Sequence, residues 1–242
     1  MKILNLGCGS KTCQSPDVLN IDWSVSLIIK KNFFLRILLS KLLTKERQNN
    51  LKKLSQNIIV HDLQKGLPYA DNSIDAVYHS HLLEHIDRTE VKVFLMEIFR
   101  VLKPNGVQRI VVPDLYFLCK SYVENYEKCI NQNKLIKKHD NYVAAILEQA
   151  VRKEASGSSK QNKILRKIEN LILGDARKRG ETHQWMYDSV NLKSILNEVG
   201  FKNIKVQTFK TSYIFNWNKY GLDIDKENKE YKQGSLYIEA RK

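Results

Sequence analysis

The chain has 242 residues, of which 43% are hydrophobic and 27% charged, enough for one domain of ordinary size with a full core. The longest apolar run, 33–39, is interrupted by Arg36 and is too short to cross a bilayer, which argues against a transmembrane protein. Its four cysteines lack Cys-x-x-Cys spacing, so neither a zinc site nor a disulfide framework is indicated.

The charge is strongly basic. Lys and Arg number 40 against 26 Asp and Glu, a net charge of +14. Residues 30–53 carry eight basic residues and one acid, and residues 134–179 carry twelve and five, so these two segments account for the whole excess. Such a balance predicts an anionic partner: a phosphorylated substrate, an acidic membrane surface or nucleic acid.

The chain opens with a strand pattern at 2–6 that breaks into Gly7-Cys8-Gly9. A second apolar segment, 18–22, ends in Asp22, and a third, 58–61, is followed by Asp62. One strand followed by a glycine turn, and two further strands each followed by an acid, are typical of the nucleoside site at the edge of an open parallel sheet. We expect Asp22 to accept the ribose hydroxyls and Asp62 an exocyclic amine.

Further strands are predicted at 74–79, 107–112, 203–209 and 235–241, with helices between them, which gives an α/β sheet. The clearest helices are Glu90–Leu102 and Asp188–Val199, the second capped by Asp188 or Ser189 and closed by Gly200. The connection from Lys11 to Asp17 is close to the lower limit for a parallel crossover.

Two insertions are predicted, at 25–57 and 115–187. The first is apolar and basic, and can be interpreted as a helix covering the sheet or as an amphipathic helix on an anionic membrane or lipid carrier. The second leaves the carboxyl end of the fifth strand and returns to the next helix, so it is expected to act as a lid or substrate-binding element.

Residues 67–86 read LPYADNSIDAVYHSHLLEHI, and residues 97–106 read EIFRVLKPNG. Here the chain resembles the class I S-adenosylmethionine-dependent methyltransferases, over roughly residues 2–115 and the C-terminal helix and strands. The resemblance implies a Rossmann-like fold with a mostly parallel seven-stranded sheet and S-adenosylmethionine as the cofactor. The residues it implies for cofactor binding are Asn5, Gly7, Cys8, Gly9, Asp22, Trp23, Asp62, Leu63, His79 and Ser80.

Two positions depart from the pattern of these enzymes. The first strand contains Asn5 where an acid is usual, and Lys11 replaces a third glycine. We therefore expect the backbone to hold the amino end of the cofactor.

The candidate chemistry lies where the second insertion ends, in the sequence GETHQWMYD at 180–188. His183 is the predicted general base, because imidazole titrates near neutral pH. Trp185 and Tyr187, with His81 from the fourth strand, are predicted to line the substrate cleft. The alternative is that His183 and Trp185 only pack against the rest of the protein and take no part in the chemistry. This stretch also resembles, more loosely, methyltransferases encoded among cell-surface polysaccharide genes.

No metal site is predicted. His79 and His81 alternate at a strand end and so point to opposite faces, and His85 is expected a helical turn away.

We expect a single domain, 1–242, that O-methylates a sugar, a glycan or a related anionic small molecule. An RNA methyltransferase is the alternative that the charge favours, and a non-catalytic cofactor-binding partner is a third class. Since the first core strand starts near residue 2, no removable leader is expected. The predicted location is cytoplasmic, with peripheral contact at the inner face of the membrane.

Overall fold

The computed structural model describes residues 1–23, Leu27, 57–131, 138–150 and 182–242. Seven strands in this part of the chain form one sheet in the order β3-β2-β1-β4-β5-β7-β6. They are β1 (Ile3–Leu6), β2 (Val18–Asp22), β3 (Ile58–Val60), β4 (Ile74–Ser80), β5 (Leu102–Pro113), β6 (Lys202–Gln207) and β7 (Ser235–Arg241). The described helices are α1 (Arg88–Val101), α2 (Leu115–Asn131), α3 (His139–Gln149) and α4 (Ser189–Val199).

The sheet is parallel from β3 to β5, and β7 runs antiparallel to both of its neighbours, β5 and β6. The prediction of a mostly parallel seven-stranded sheet is confirmed. The order changes direction between β1 and β4, so the carboxyl ends of these two strands form the crevice where open α/β sheets bind ligands.

The crossover from β1 to β2 contains no helix. Two buried amides hold it instead: Asn5 Nδ2 donates to Lys11 O and to Asn20 Oδ1, both at 3.0 Å, while Asn20 Nδ2 donates to Cys13 O at 2.8 Å. Side-chain hydrogen bonds thus replace the helix that usually satisfies the backbone of such a connection.

Helix α1 packs its apolar stripe against one face of the sheet, with Val91, Phe94, Leu95, Ile98 and Val101 buried. Helix α4 lies on the same face. Its cap is Asp188, whose carboxylate accepts from Val190 N at 2.8 Å and Asn191 N at 2.9 Å, and Gly200 closes the helix in the left-handed conformation. Both ends agree with the predicted helix to within one residue.

The opposite face is covered by the connection between β6 and β7. It buries Arg109, which pairs with Asp223 and Glu239 and donates to two backbone carbonyls of the same connection. Tyr78 and Trp217 also donate to Asp223. Every charge of this buried cluster has an opposite charge and hydrogen bonds, the condition under which buried ions are tolerated.

The first predicted insertion, 25–57, lies outside the described residues except for Leu27 and Asn57. The second begins with α2 and α3, which pack on one another, and residues 132–137 and 151–181 are outside the described part. Its two ends meet at the carboxyl end of β5, where Asp114 bridges to Tyr187 and Leu115 N donates to Tyr187 O at 2.9 Å. None of the helices in these ranges has the length and hydropathy to span a bilayer.

Candidate active site

The glycine turn after β1 gives its two glycines different roles. Gly7 has φ +60°, and a Cβ there would come within 2.8 Å of Leu82 Cδ1, so glycine is required by conformation and by packing. Gly9 has φ +51°, but a Cβ there would meet no heavy atom within 4 Å. The open side of Gly9 therefore offers backbone to a ligand rather than to the protein.

Asp22 faces the same turn from the end of β2. Its carboxylate accepts a hydrogen bond from Gly9 N, and the side chain is 9% exposed. Burial raises the pKa of this carboxyl, while hydrogen bonds from the backbone of Gly9 and Trp23 oppose the shift. An ionised acid is thus held at the crevice against its desolvation, as expected of a group reserved for a polar ligand.

The neighbours of these residues have distinct environments. Cys8 is buried, burial and the charge of Asp22 raise the pKa of its thiol, and its N–H donates to Ile21 O at 3.2 Å. Trp23 is 49% exposed at the rim. The side chain of Asn5 faces the crossover, because its amide donates to Lys11 O and Asn20 Oδ1, and the residue is 1% exposed.

Asp62 follows β3 and caps a single 3₁₀ turn, Leu63–Lys65, by accepting from Gln64 N at 3.1 Å. Leu63 is half-buried and packs against the core. Both residues lie at the carboxyl ends of the strands, on the β3 side of Asp22.

At the end of β4, the side chain of His79, a predicted cofactor residue, lies on the core face of the sheet. Its side chain is fully buried and packs edge-on to Phe94 of α1, with ring centroids 5.6 Å apart. Burial lowers its pKa to about 4, so the ring is neutral and belongs to the core face of the sheet. Ser80, half-buried, is the residue of this pair nearer solvent.

His81 has φ +51° at the turn after β4, and its ring connects two segments. Nε2 lies 2.9 Å from Ser235 Oγ, and Nδ1 lies 3.3 Å from Glu84 Oε1. Burial by itself would raise the pKa of Glu84, but the hydrogen bond and charge of His81 and the charge of His85 outweigh it, and the pKa is lowered.

The segment 182–187 is fastened to this turn by its backbone: Gln184 N donates to Glu84 O at 2.6 Å. His183 therefore lies beside His85, with ring centroids 4.7 Å apart, and its Nδ1 is 3.2 Å from Gln149 O. Trp185 is half-buried, and the guanidinium of exposed Arg88 lies 4.1 Å above its ring. The predicted base and one predicted substrate residue are thus brought together.

Tyr187, also predicted to line the substrate cleft, is 1% exposed. Its backbone bridges to Asp114, and its side chain packs in the core beside a narrow recess, which we call the Glu84 recess. The recess is lined by Glu84, Pro113, Gln149, His183, Trp185, Met186 and Tyr187.

Sequence reasoning missed the grouping of Glu84, His85 and His183, whose potential ligand atoms all lie within 4.8 Å of one another. Nearly a hundred residues separate His183 from the other two, so no local spacing could have indicated it. The signal available was topological, since both segments were predicted at the carboxyl edge.

Comparisons with known proteins found one family model and several similar solved structures. A family model described as a methyltransferase domain matches residues 32–110, a third of the chain. No curated protein matches. The chain is similar to a SAM-dependent methyltransferase from Archaeoglobus fulgidus, with 15% identity and a TM-score of 0.43, over 100% of this chain and 86% of the other. It is similar to one from Thermotoga maritima, described as a possible histamine N-methyltransferase, with 14% identity and a TM-score of 0.44, over 100% of this chain and 82% of the other. It is also similar to one from Mesorhizobium loti, with 14% identity and a TM-score of 0.42, over 100% of this chain and 90% of the other. Residues 32–110 are thus similar to a methyltransferase domain, and the sheet order with its reversed β7 is that of the Rossmann-like class I methyltransferase fold.

Proposed function

We propose that this enzyme transfers the methyl group of S-adenosylmethionine to a hydroxyl oxygen of a sugar, a glycan or a related anionic small molecule. The observation that carries the proposal is that the ring of Trp185, the guanidinium of Arg88 and the imidazole of His183 lie together near the carboxyl ends of the strands. Trp185 and the Arg88 guanidinium stacked on its ring would contact a sugar ring and its anionic group, and His183 would accept a proton.

The residues at the edge of β1, β2 and β3 fit the cofactor. Gly7, Cys8 and Gly9 present backbone, and the open side of Gly9 leaves room for a ligand to approach. The carboxylate of Asp22 would accept ribose hydroxyls, with Trp23 at the rim. Asp62 and Leu63 would contact the adenine ring, and Ser80 lies at the end of β4 on the other side of the crevice. When bound, the cofactor supplies an electrophilic sulfonium methyl group.

The protein's own contribution to the reaction is alignment, exclusion of water and removal of one proton. Nδ1 of His183 faces a backbone carbonyl, so a proton on Nδ1 leaves Nε2 as the acceptor for the hydroxyl proton. The bond formed is from the acceptor oxygen to the methyl carbon, and the bond broken is from that carbon to the sulfonium sulfur.

RNA methylation is the second candidate, and the specific observation in its favour is the charge of +14. Against it, β4 ends in His79-Ser80-His81 and not in the Asn/Asp-Pro-Pro-aromatic sequence associated with methylation of exocyclic amines. A non-catalytic role as a cofactor-binding partner would require a cleft without a base.

The test is methyl transfer from cofactor labelled in the methyl group, using the full chain. Candidate acceptors are nucleotide sugars, lipid-linked sugar extracts and unmodified tRNA, each with and without Trp185→Ala and Arg88→Met. We expect label in the sugar fraction, reduced by both substitutions. Label found in tRNA alone would replace this proposal with the RNA candidate.

A further inference from the structure

A cluster of buried polar groups in and beside the Glu84 recess lacks the hydrogen bonds that such groups normally make. Within the described residues, Nδ1 of His85, the hydroxyl of Tyr187, Oε1 of Gln149 and Oε2 of Glu84 have no hydrogen-bond partner, and Oε1 of Glu84 has only the contact with His81 Nδ1 at 3.3 Å. Glu84 and Tyr187 are each 1% exposed. Buried polar groups are almost always satisfied, so several such groups in one place indicate that something binds between them.

The donor set is that of a transition metal site. One ligand atom from each of Glu84, His85 and His183 lies within 4.8 Å of the other two. Two imidazoles and a carboxylate form the three-ligand set of catalytic zinc sites and of non-haem iron sites, which keep a position open for water or substrate. Mg²⁺ and Ca²⁺ prefer oxygen ligands throughout and fit this set poorly.

The outer contacts prepare the imidazoles for this role. His183 Nδ1 lies 3.2 Å from Gln149 O, which leaves Nε2 with a free lone pair. The His85 ring bonds to the backbone of Thr182, while its Nδ1 has no partner. A ligating histidine usually directs its second ring nitrogen to a backbone carbonyl or a carboxylate in this way.

We propose that Glu84, His85 and His183 form a binding site for one divalent transition metal ion, with Zn²⁺ the first ion to test. Tetrahedral zinc with bonds of about 2.0–2.1 Å places its ligand atoms about 3.3 Å apart, so ligand atoms that lie as much as 4.8 Å apart would close by up to about 1.5 Å on binding. Tyr187 and Gln149, which also have polar atoms without a partner among the described residues, line the same recess.

A consequence follows that rests on the proposed function. With an ion bound, Nε2 of His183 would be a ligand and would no longer be the base. The ion would lower the pKa of an acceptor hydroxyl on the open position, and the proton of that hydroxyl would pass to solvent water before its oxygen takes the methyl group. Methyl transfer would then depend on the metal, whereas cofactor binding at Gly9 and Asp22 would not.

The neighbouring cation Lys232 provides a discriminating variant. It is close enough for its charge to act on both Glu84 and His85. Removing this charge in Lys232→Met should strengthen the binding of a cation to the cluster and weaken the binding of an anion. The direction of the change therefore separates the two kinds of occupant.

The experiment uses the full chain, stripped with a chelator and titrated with Zn²⁺ against a chromogenic chelator, and with Co²⁺ followed by visible absorption. We expect one ion per chain, affinity lowered at least tenfold by Glu84→Gln and by His183→Ala, raised by Lys232→Met and unchanged by the control His139→Ala. His139 contacts Asn125 on α2, outside the recess.

Calorimetry with S-adenosylhomocysteine on the same samples shows that each variant is folded, and it reports on the proposed function separately. Binding of less than one ion per chain, or equal affinity in wild type and His183→Ala, would overturn the metal site. So would a thiolate-to-cobalt absorption band, because it would place the ion on cysteine instead.

Discussion

The imidazole of His183 is the residue on which the proposed chemistry depends most. We expect His183→Ala to lower turnover by roughly 10²–10⁴ with the true acceptor, the usual effect of removing a positioned base. Cofactor affinity should stay within twofold of wild type, since the glycine turn lies on different elements. His139→Ala is the matched control. A loss of turnover below about threefold would make His183 a packing residue.

Asp22 gives a prediction about stability and pH. Because burial raises its pKa, the folded chain holds this proton to a higher pH than the unfolded chain does. The stability that the protonated carboxyl contributes is therefore lost as the pH rises from the pKa of Asp22 in the unfolded chain through its pKa in the folded chain. At neutral pH, ionised Asp22 destabilises the cofactor-free protein.

Asp22→Asn keeps the shape and an acceptor for Gly9 N while removing the charge. We expect its melting temperature without cofactor to exceed that of wild type at pH 7, with the difference shrinking toward pH 3. Thermal unfolding followed by circular dichroism across this range measures it. A variant that melts below wild type at neutral pH would show that the ionised form stabilises the fold.

At the scale of elements, the turn after β1 can be tested with a pair of matched glycines. Gly9 and Gly221 both have positive φ, +51° and +63°, and neither has a heavy atom within 4 Å of an added Cβ. Alanine at either position should cost about 1–2 kcal/mol of stability through backbone strain. Only Gly9→Ala should weaken cofactor binding, by at least tenfold, as measured by calorimetry. Equal affinities in the two variants would move the cofactor away from this turn.

The strands and helices could be predicted because their signals are local. The run Ile3–Leu6 is apolar and ends at a glycine that cannot carry a Cβ, and Asp188 begins a periodic helix that Gly200 ends. β5 is longer than predicted, since its first residues, from Leu102, pair with β4 through an irregular register. Local polarity gives no sign of such an extension.

Side-chain directions at the site were less predictable, because they depend on contacts distant in sequence. Asn5 serves the crossover because Asn20 and Lys11 face it, and His79 is buried because Phe94 of α1 covers that face. Tyr187 enters the core because its backbone pairs with Asp114. Pairing across such separations is decided by the fold, which a single sequence does not display.

For the whole molecule, the charge of +14 is the property that the fold does not explain. Both basic segments lie largely outside the described residues, so their role stays a prediction. The first places Phe33, Phe34, Ile37 and Leu38 among lysines, a composition that favours an anionic membrane surface over the stacking of bases. We expect salt-sensitive binding to vesicles containing anionic lipid, stronger than binding to tRNA.

Vesicle co-sedimentation beside a tRNA gel shift, at matched salt, measures this preference. Neutral vesicles are the control for the contribution of charge. Tight binding to tRNA without binding to vesicles would contradict the membrane prediction and favour the RNA candidate. Failure to bind either would assign the apolar face of the first segment to packing within the protein.

The central claim is that S-adenosylmethionine binds at the carboxyl edge of β1, β2 and β3. Calorimetric titration of the full chain with S-adenosylhomocysteine tests it most directly, with Asp22→Ala as the variant and exposed Asp71→Ala as the control. We predict low-micromolar affinity for wild type and control, and a loss of roughly 1.5–3 kcal/mol, about ten- to a hundredfold, in Asp22→Ala. A guanosine analogue of the cofactor should not compete. Unchanged binding in a folded Asp22→Ala variant, or competition by the guanosine analogue at comparable affinity, would contradict the account.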